Sequence, residues 1–126
     1  MKINKNVLII DDDAHIRRVL ELKLKNAGYQ VTTAENGENG MKVINSQVPD
    51  AVITDIEMPK MDGKSFIMSA NKFKNEHSFL TIIISCSLGF EENEWVDQID
   101  DTHFMEKPFS LNKILFCIDE YFGIKR

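Results

Sequence analysis

The chain predicts a single α/β domain, an open sandwich in which a sheet of parallel strands carries helices on both faces. Three observations carry that expectation. Short, continuously apolar, β-branched runs recur along the chain; segments with helical spacing separate them; no linker, low-complexity stretch or sustained repeat interrupts the alternation. At 126 residues the chain suffices for one sizeable core, so residues 1–126 are expected to form one domain.

The elements follow in order. Val7-Leu8-Ile9-Ile10 reads as a strand buried on both faces, and it stops abruptly at Asp11-Asp12-Asp13. Ile16, Val19, Leu20, Leu24 and Ala27 then recur at helical spacing, Asn26-Ala27-Gly28 supplies a stop, and residues 29–33 form a second, partly exposed strand. A short helix over 38–45 precedes a strand at 51–54, a loop containing Pro and Gly, and a helix over 64–73. Leu80-Thr81-Ile82-Ile83-Ile84 is the most apolar strand and belongs at or near the sheet centre. A weakly patterned helix over 92–99, a short strand over 102–105 and a helix over 111–121 complete five alternations.

Composition removes several function classes. Fifteen basic residues against twenty acidic ones give a net charge of -5, and no Lys/Arg run tracks a phosphate backbone, so direct nucleic-acid binding is disfavoured. Lys23, Lys25, Lys72 and Lys74 fall in or near helices and read as solvated surface. Cys86 and Cys117 are too few and too far apart for a disulfide scaffold or zinc cluster. No leader-like opening and no long apolar span appear, so a reducing, cytoplasmic location without membrane insertion is expected.

Sheets of this kind bind ligands beyond the carboxyl ends of their strands. The first strand ends in Asp11-Asp12-Asp13, the third in Asp55, the fourth in Ser85, and the fifth runs through Glu106 to Lys107-Pro108. Parallel strands bring those ends to one rim, where converging carboxylates repel unless a cation neutralises them; all-oxygen ligands select magnesium, manganese or calcium. Taken singly, Asp13 reads better as a helix cap than as a ligand, Asp55 as a turn carboxylate before Pro59, and Lys107 as a solvated lysine. Their joint placement at strand ends makes coincidence a poor account. No GxGxxG or GxxxxGK follows the first strand, which leaves dinucleotide-binding and P-loop readings poorly supported.

Four segments, VLIIDDD, ITDIEMPKMDG, TIIISCS and FMEKPF, resemble the receiver domains of bacterial-type two-component response regulators, the CheY-like superfamily. Ser85 lies 30 residues after Asp55 and Lys107 22 after Ser85, as that family's pattern expects, and the resemblance spans residues 5–122. It implies a flavodoxin-like sheet of order 2-1-3-4-5 with five helices. It also implies that Asp55 accepts a phosphoryl group from a histidine kinase, a phosphotransfer protein or a small phosphodonor. Asp11 and Asp12 match the acidic pair that holds Mg2+, for which Mn2+ can substitute, with Asp12 the more direct ligand and Asp11 acting largely through water. Asp55 and the backbone carbonyl of Glu57 would add oxygens. Ser85 matches the switch hydroxyl, Phe104 the switch aromatic and Lys107 the lysine of the pattern.

In the implied switch, the face made by the fourth helix, fifth strand and fifth helix changes shape on phosphorylation. A downstream effector, a C-terminal output domain outside this chain, or a phosphorylation-dependent homodimer would read it. Trp95, Phe116 and Tyr121 are candidate anchors there. The competing readings are a receiver-like module that signals by constitutive, phosphate-independent binding and a metal-dependent phosphotransferase acting on small substrates. Retention of every ionic member argues against the first, and the lack of an evident lid or extra acid/base against the second.

The sequence departs from the commonest pattern at several positions. Ser85 stands for the usual threonine, which keeps the hydroxyl and loses a methyl that would couple it to the core. Cys86 stands for alanine and reads as a small buried hydrophobe. Residues 97–102 lack the common small-residue turn. Glu57 occupies the family's variable position two residues past Asp55, where the resemblance implies that its carboxylate would approach the cation or the path of hydrolytic water. A Glu57→Asn variant is therefore expected to dephosphorylate at a different rate from the parent, and equal rates for the two phosphorylated proteins would remove Glu57 from that role.

Overall fold

The β-branched runs form the sheet, and their burial explains their composition. A computed structural model describes residues 2–56, 63–75, 77–85 and 101–126. Five strands, β1 (Asn6–Ile10), β2 (Gln30–Ala34), β3 (Ala51–Asp55), β4 (Leu80–Ser85) and β5 (Thr102–Glu106), pair in parallel in the order β2-β1-β3-β4-β5. Every residue of the inner strands β3 and β4 is buried, as is β1 from Val7 onward. The edge strands QVTTA and THFME are less buried, exposing the polar Gln30, Thr32, Thr33, His103 and Glu106. The expectation that residues 80–84 lie near the centre is met.

Side chains alternate across the sheet and build two cores. On one face Val7, Ile9, Ile53, Ile82 and Ile84 meet Leu20 and Leu24 of α1 (Ala14–Asn26) and Ile114 and Ile118 of α4 (Leu111–Phe122). On the other, Leu8, Ile10, Val52 and Ile83 meet Ile44 of α2 (Gly37–Ser46) and Phe66, Ile67 and Ala70 of α3 (Gly63–Ala70). Helix starts follow sequence chemistry: Asp13, Asn36 and Ser110 cap α1, α2 and α4 through side-chain oxygens that accept backbone N–H bonds. Gly123 ends α4 in the left-handed region at φ 69, which a residue without Cβ adopts freely.

Two elements differ from their expected form. The helix expected over 64–73 is α-helical only to Ala70 and tightens into a 3-10 turn over Asn71–Asn75. Asn71-Lys72-Phe73-Lys74-Asn75 has one apolar residue and two poor helix formers, too little to hold another α-turn on the core. The second strand begins at Gln30 rather than Tyr29. Tyr29 instead points into the first core and donates its hydroxyl proton to Asp119 at 2.6 Å. The helix expected over 92–99, with Trp95, lies outside the described residues. Among those described, no helix is long and apolar enough to cross a membrane.

Asp119 is a buried carboxylate with three donors around it. Besides Tyr29, Arg126 Nε donates to Oδ2 at 2.7 Å and Nη2 to Oδ1 at 3.2 Å, while the same Nη2 reaches the Ala27 carbonyl at 2.8 Å. Burial and the adjacent Asp119 charge push the Tyr29 phenol well above its ordinary pKa, so it stays a donor at any physiological pH. Tyr29→Phe removes one hydrogen bond to a charged acceptor and is expected to lower unfolding stability by about 2 kcal/mol, read as a shift in urea midpoint.

Gly40 marks the closest approach of α2 to the sheet. A Cβ there would lie 2.5 Å from Ile10 Cδ1 and 2.9 Å from Phe66 Cε1, both on buried side chains. Alanine would gain about 1 kcal/mol of helix propensity, but overpacking a dense core costs about 1–3 kcal/mol. With two contacts this short, overpacking dominates: Gly40→Ala is expected to lower the thermal midpoint, measured by circular dichroism.

Candidate functional site

Parallel register assembles the site. Ile10 pairs with Thr54, so Asp11 emerges beside Asp55; Asp55 pairs with Ile84, and Ser85 with Glu106, one residue before Lys107. The ladders extend slightly past the strands, through Ile56 N–H to the Ile84 carbonyl at 3.2 Å and Lys107 N–H to the Ser85 carbonyl at 2.8 Å. Four distant segments thereby converge on one rim.

Asp11 and Asp55 are buried at 2% and 6% exposure, whereas Asp12 faces solvent. One carboxylate oxygen from each of the three lies within 4.8 Å of the other two. Lys107 Nζ donates to Asp55 Oδ2 at 2.8 Å. Among the described residues, three carboxylates thus share the rim with the Lys107 ammonium, an excess of negative charge in a partly desolvated pocket. Burial first, and then the Asp55 and Asp12 carboxylates, push Asp11 up to about 6 against the opposing Asp13 backbone amide and Lys107. Among the described residues the donor set is all oxygen, which suits a hard divalent cation. The cluster can coordinate such a metal.

The surrounding backbone fixes these groups. Asp13 N–H donates to Asp11 Oδ1 at 2.9 Å, while Asp13 itself caps α1 by accepting from His15 N at 2.8 Å and Ile16 N at 3.4 Å. The third aspartate of the run is a cap, as its sequence position suggested. Thr54 Oγ1 donates to the Asp55 carbonyl at 2.9 Å. Ser85, 1% exposed, closes β4.

Phe104 pairs with Ile83, two residues before Ser85, so it shares the Ser85 face of the sheet, and it is half-buried against the second core. Of the candidate surface anchors, Phe116 is 68% exposed, while Tyr121 packs edge-on against Phe122 at 5.1 Å between ring centroids. Glu57 and Cys86 lie outside the described residues. One neighbour of the site escaped sequence reasoning: Arg17 Nη1 donates to the Asp11 carbonyl at 2.7 Å. Only the helical phase of α1 separates it from Arg18, which is exposed.

Residues 7–119 match the family model described as the response regulator receiver domain. The chain is 35% identical over 111 residues to a probable transcriptional regulator ycf27 of Guillardia theta, a match covering 87% of this chain and 42% of the relative. The chain thus spans less than half the length of that regulator. A probable chemotaxis protein CheY of Rhizobium etli is 33% identical over 118 residues, covering 93% of this chain and 92% of the relative. The crystal structure of a CheY-like receiver domain protein from Methanospirillum hungatei superposes with a TM-score of 0.86 at 24% identity, covering 96% of this chain and 95% of that one, and shares its fold. A family match across nearly the whole chain, a flavodoxin-like sheet of order 2-1-3-4-5 and an acidic cluster at its carboxyl rim agree: the chain belongs to the response regulator receiver domain family, the phosphorylation-dependent switches of two-component signalling.

Proposed function

We propose that residues 1–126 work as one receiver unit in which Asp55 is the phosphoacceptor, and that the contact between Lys107 Nζ and Asp55 Oδ2, beside the Asp11 and Asp12 carboxylates, carries this reading. Asp55 attacks the donor phosphorus through a carboxylate oxygen. The bond from phosphorus to the donor breaks, and its electron pair leaves with the donor nitrogen or oxygen. Lys107 then transfers its ammonium from the free carboxylate to a phosphoryl oxygen, acting as a movable point charge. The Ser85 hydroxyl donates to another phosphoryl oxygen.

Asp11, Asp12, Asp55 and the Glu57 carbonyl are the proposed holders of Mg2+, with Mn2+ as a substitute. When bound, this cation supplies neutralisation of the negative charge shared by the acceptor and the phosphoryl group. Water later attacks phosphorus, returning the Asp55 carboxylate and inorganic phosphate. One such cycle per signal makes the domain a timed switch.

The output is a population shift. Ser85 moves toward the phosphoryl group and vacates volume on the face it shares with Phe104, which turns inward, altering the surface around β5 and α4. Proposed partners are a sensor histidine kinase or histidine phosphotransfer protein upstream. Downstream, an effector, an output domain or a second phosphorylated copy would read the altered face, in the cytoplasm.

The test is intact mass after incubation with acetyl phosphate or phosphoramidate and Mg2+, beside Asp55→Ala. One adduct of about 80 Da is expected, lost in the variant and after metal removal. An adduct that survives in Asp55→Ala would reassign the acceptor. Its absence from metal-loaded parent, even with a cognate kinase, would favour a phosphate-independent binding module.

A further inference from the structure

The acidic pocket depends on the peptide that joins Asp11 to Asp12, because that peptide sets where both carboxylates lie. Its anchorage is unusual for a strand end. Asp11 N–H still bonds the Ala34 carbonyl at 3.2 Å, but β2 ends there and the chain turns into the Asn36 cap of α2. Among the described residues, no backbone amide takes the Asp11 carbonyl; Arg17, one turn into α1, does so instead with Nη1 at 2.7 Å. A half-buried guanidinium thus stands in for the missing ladder donor. No carboxylate among the described residues lies within ion-pair distance of Arg17, so the carbonyl, rather than a counter-charge, accounts for its placement.

The geometry points to Arg17 as a positioning residue for the divalent-cation site: it holds the Asp11–Asp12 peptide plane so that both side chains face Asp55. This assignment rests on the cation-binding reading of the cluster. It makes a prediction opposite in sign to simple electrostatics. A positive charge near a cation site weakens cation binding, so deleting a mere bystander arginine would tighten it. Deleting an arginine that positions the ligands would loosen it, by about tenfold for a lost outer partner of a metal ligand.

The experiment uses Arg17→Met, which removes both charge and donor, and Arg17→Lys, which keeps both on a slightly shorter stem; each is a good helix former in α1. Mg2+ affinity is measured by calorimetry, and amide hydrogen exchange at Asp13 is followed in cation-free protein, because that amide reports the Asp11 carboxylate through its 2.9 Å bond. In the Met variant, Mg2+ is expected to bind about tenfold more weakly and Asp13 to exchange faster, with the β1 amides unchanged and both effects reduced in the Lys variant. Met-variant affinity equal to or above the parent's, or unchanged Asp13 exchange, overturns the assignment. A parent that binds no Mg2+ would refute the cation reading itself, while Asp13 exchange would still decide whether Arg17 holds the loop.

Discussion

Parallel pairing is the constraint on which the rest of this molecule depends. Every strand ends on the same rim, so residues separated by up to 96 positions, Asp11 and Lys107, meet there without either helical layer having to bring them together. The inner strands are buried on both faces and admit little but apolar residues along their length. The polar chemistry of the rim therefore sits at the last residue of a strand, as at Asp55 and Ser85, or just past it, as at Asp11 and Lys107. The acidic cluster is the outcome of that restriction as much as of the charges themselves.

Crowding carboxylates in a partly dry pocket opposes folding, and the structure offsets it locally. Lys107 compensates part of the charge at Asp55, and the Asp13 amide stabilises ionised Asp11. What remains raises Asp11 to about 6. Among the described residues, carboxylates outnumber the ammonium groups at this rim, an imbalance that a divalent cation can offset.

Much of this was legible in the sequence. Strands were readable because β-branched apolar runs have few other uses, and the first helix because Asp13 announced its cap and its apolar positions fell at helical spacing. The site was legible because its members sit at strand ends, where sequence position fixes spatial position. Legibility failed where an interaction depends on helical phase or on a long-range contact. Arg17 and Arg18 are indistinguishable in sequence, yet only Arg17 has the phase to reach the Asp11 carbonyl. Tyr29 was read as the start of a strand because aromatic residues favour strands; its partner, Asp119, lies 90 residues away on α4. The helix over 64–73 was drawn too long because periodicity does not register that Asn71 and Asn75 weaken an α-turn.

The two-sided core has a consequence for modification of this protein by design or by drift. Val7, Ile9, Ile53 and Ile82 answer to α1 and α4, whereas Leu8, Ile10, Val52 and Ile83 answer to α2 and α3, and the backbone sheet stands between them. Volume changes in one layer can be compensated within that layer, leaving the register of the strands, and so the rim, unaltered. Exposed positions on the α1/α4 exterior, such as Leu22 and Phe116, can consequently be rewritten to suit a new partner without disturbing the strand register that assembles the rim.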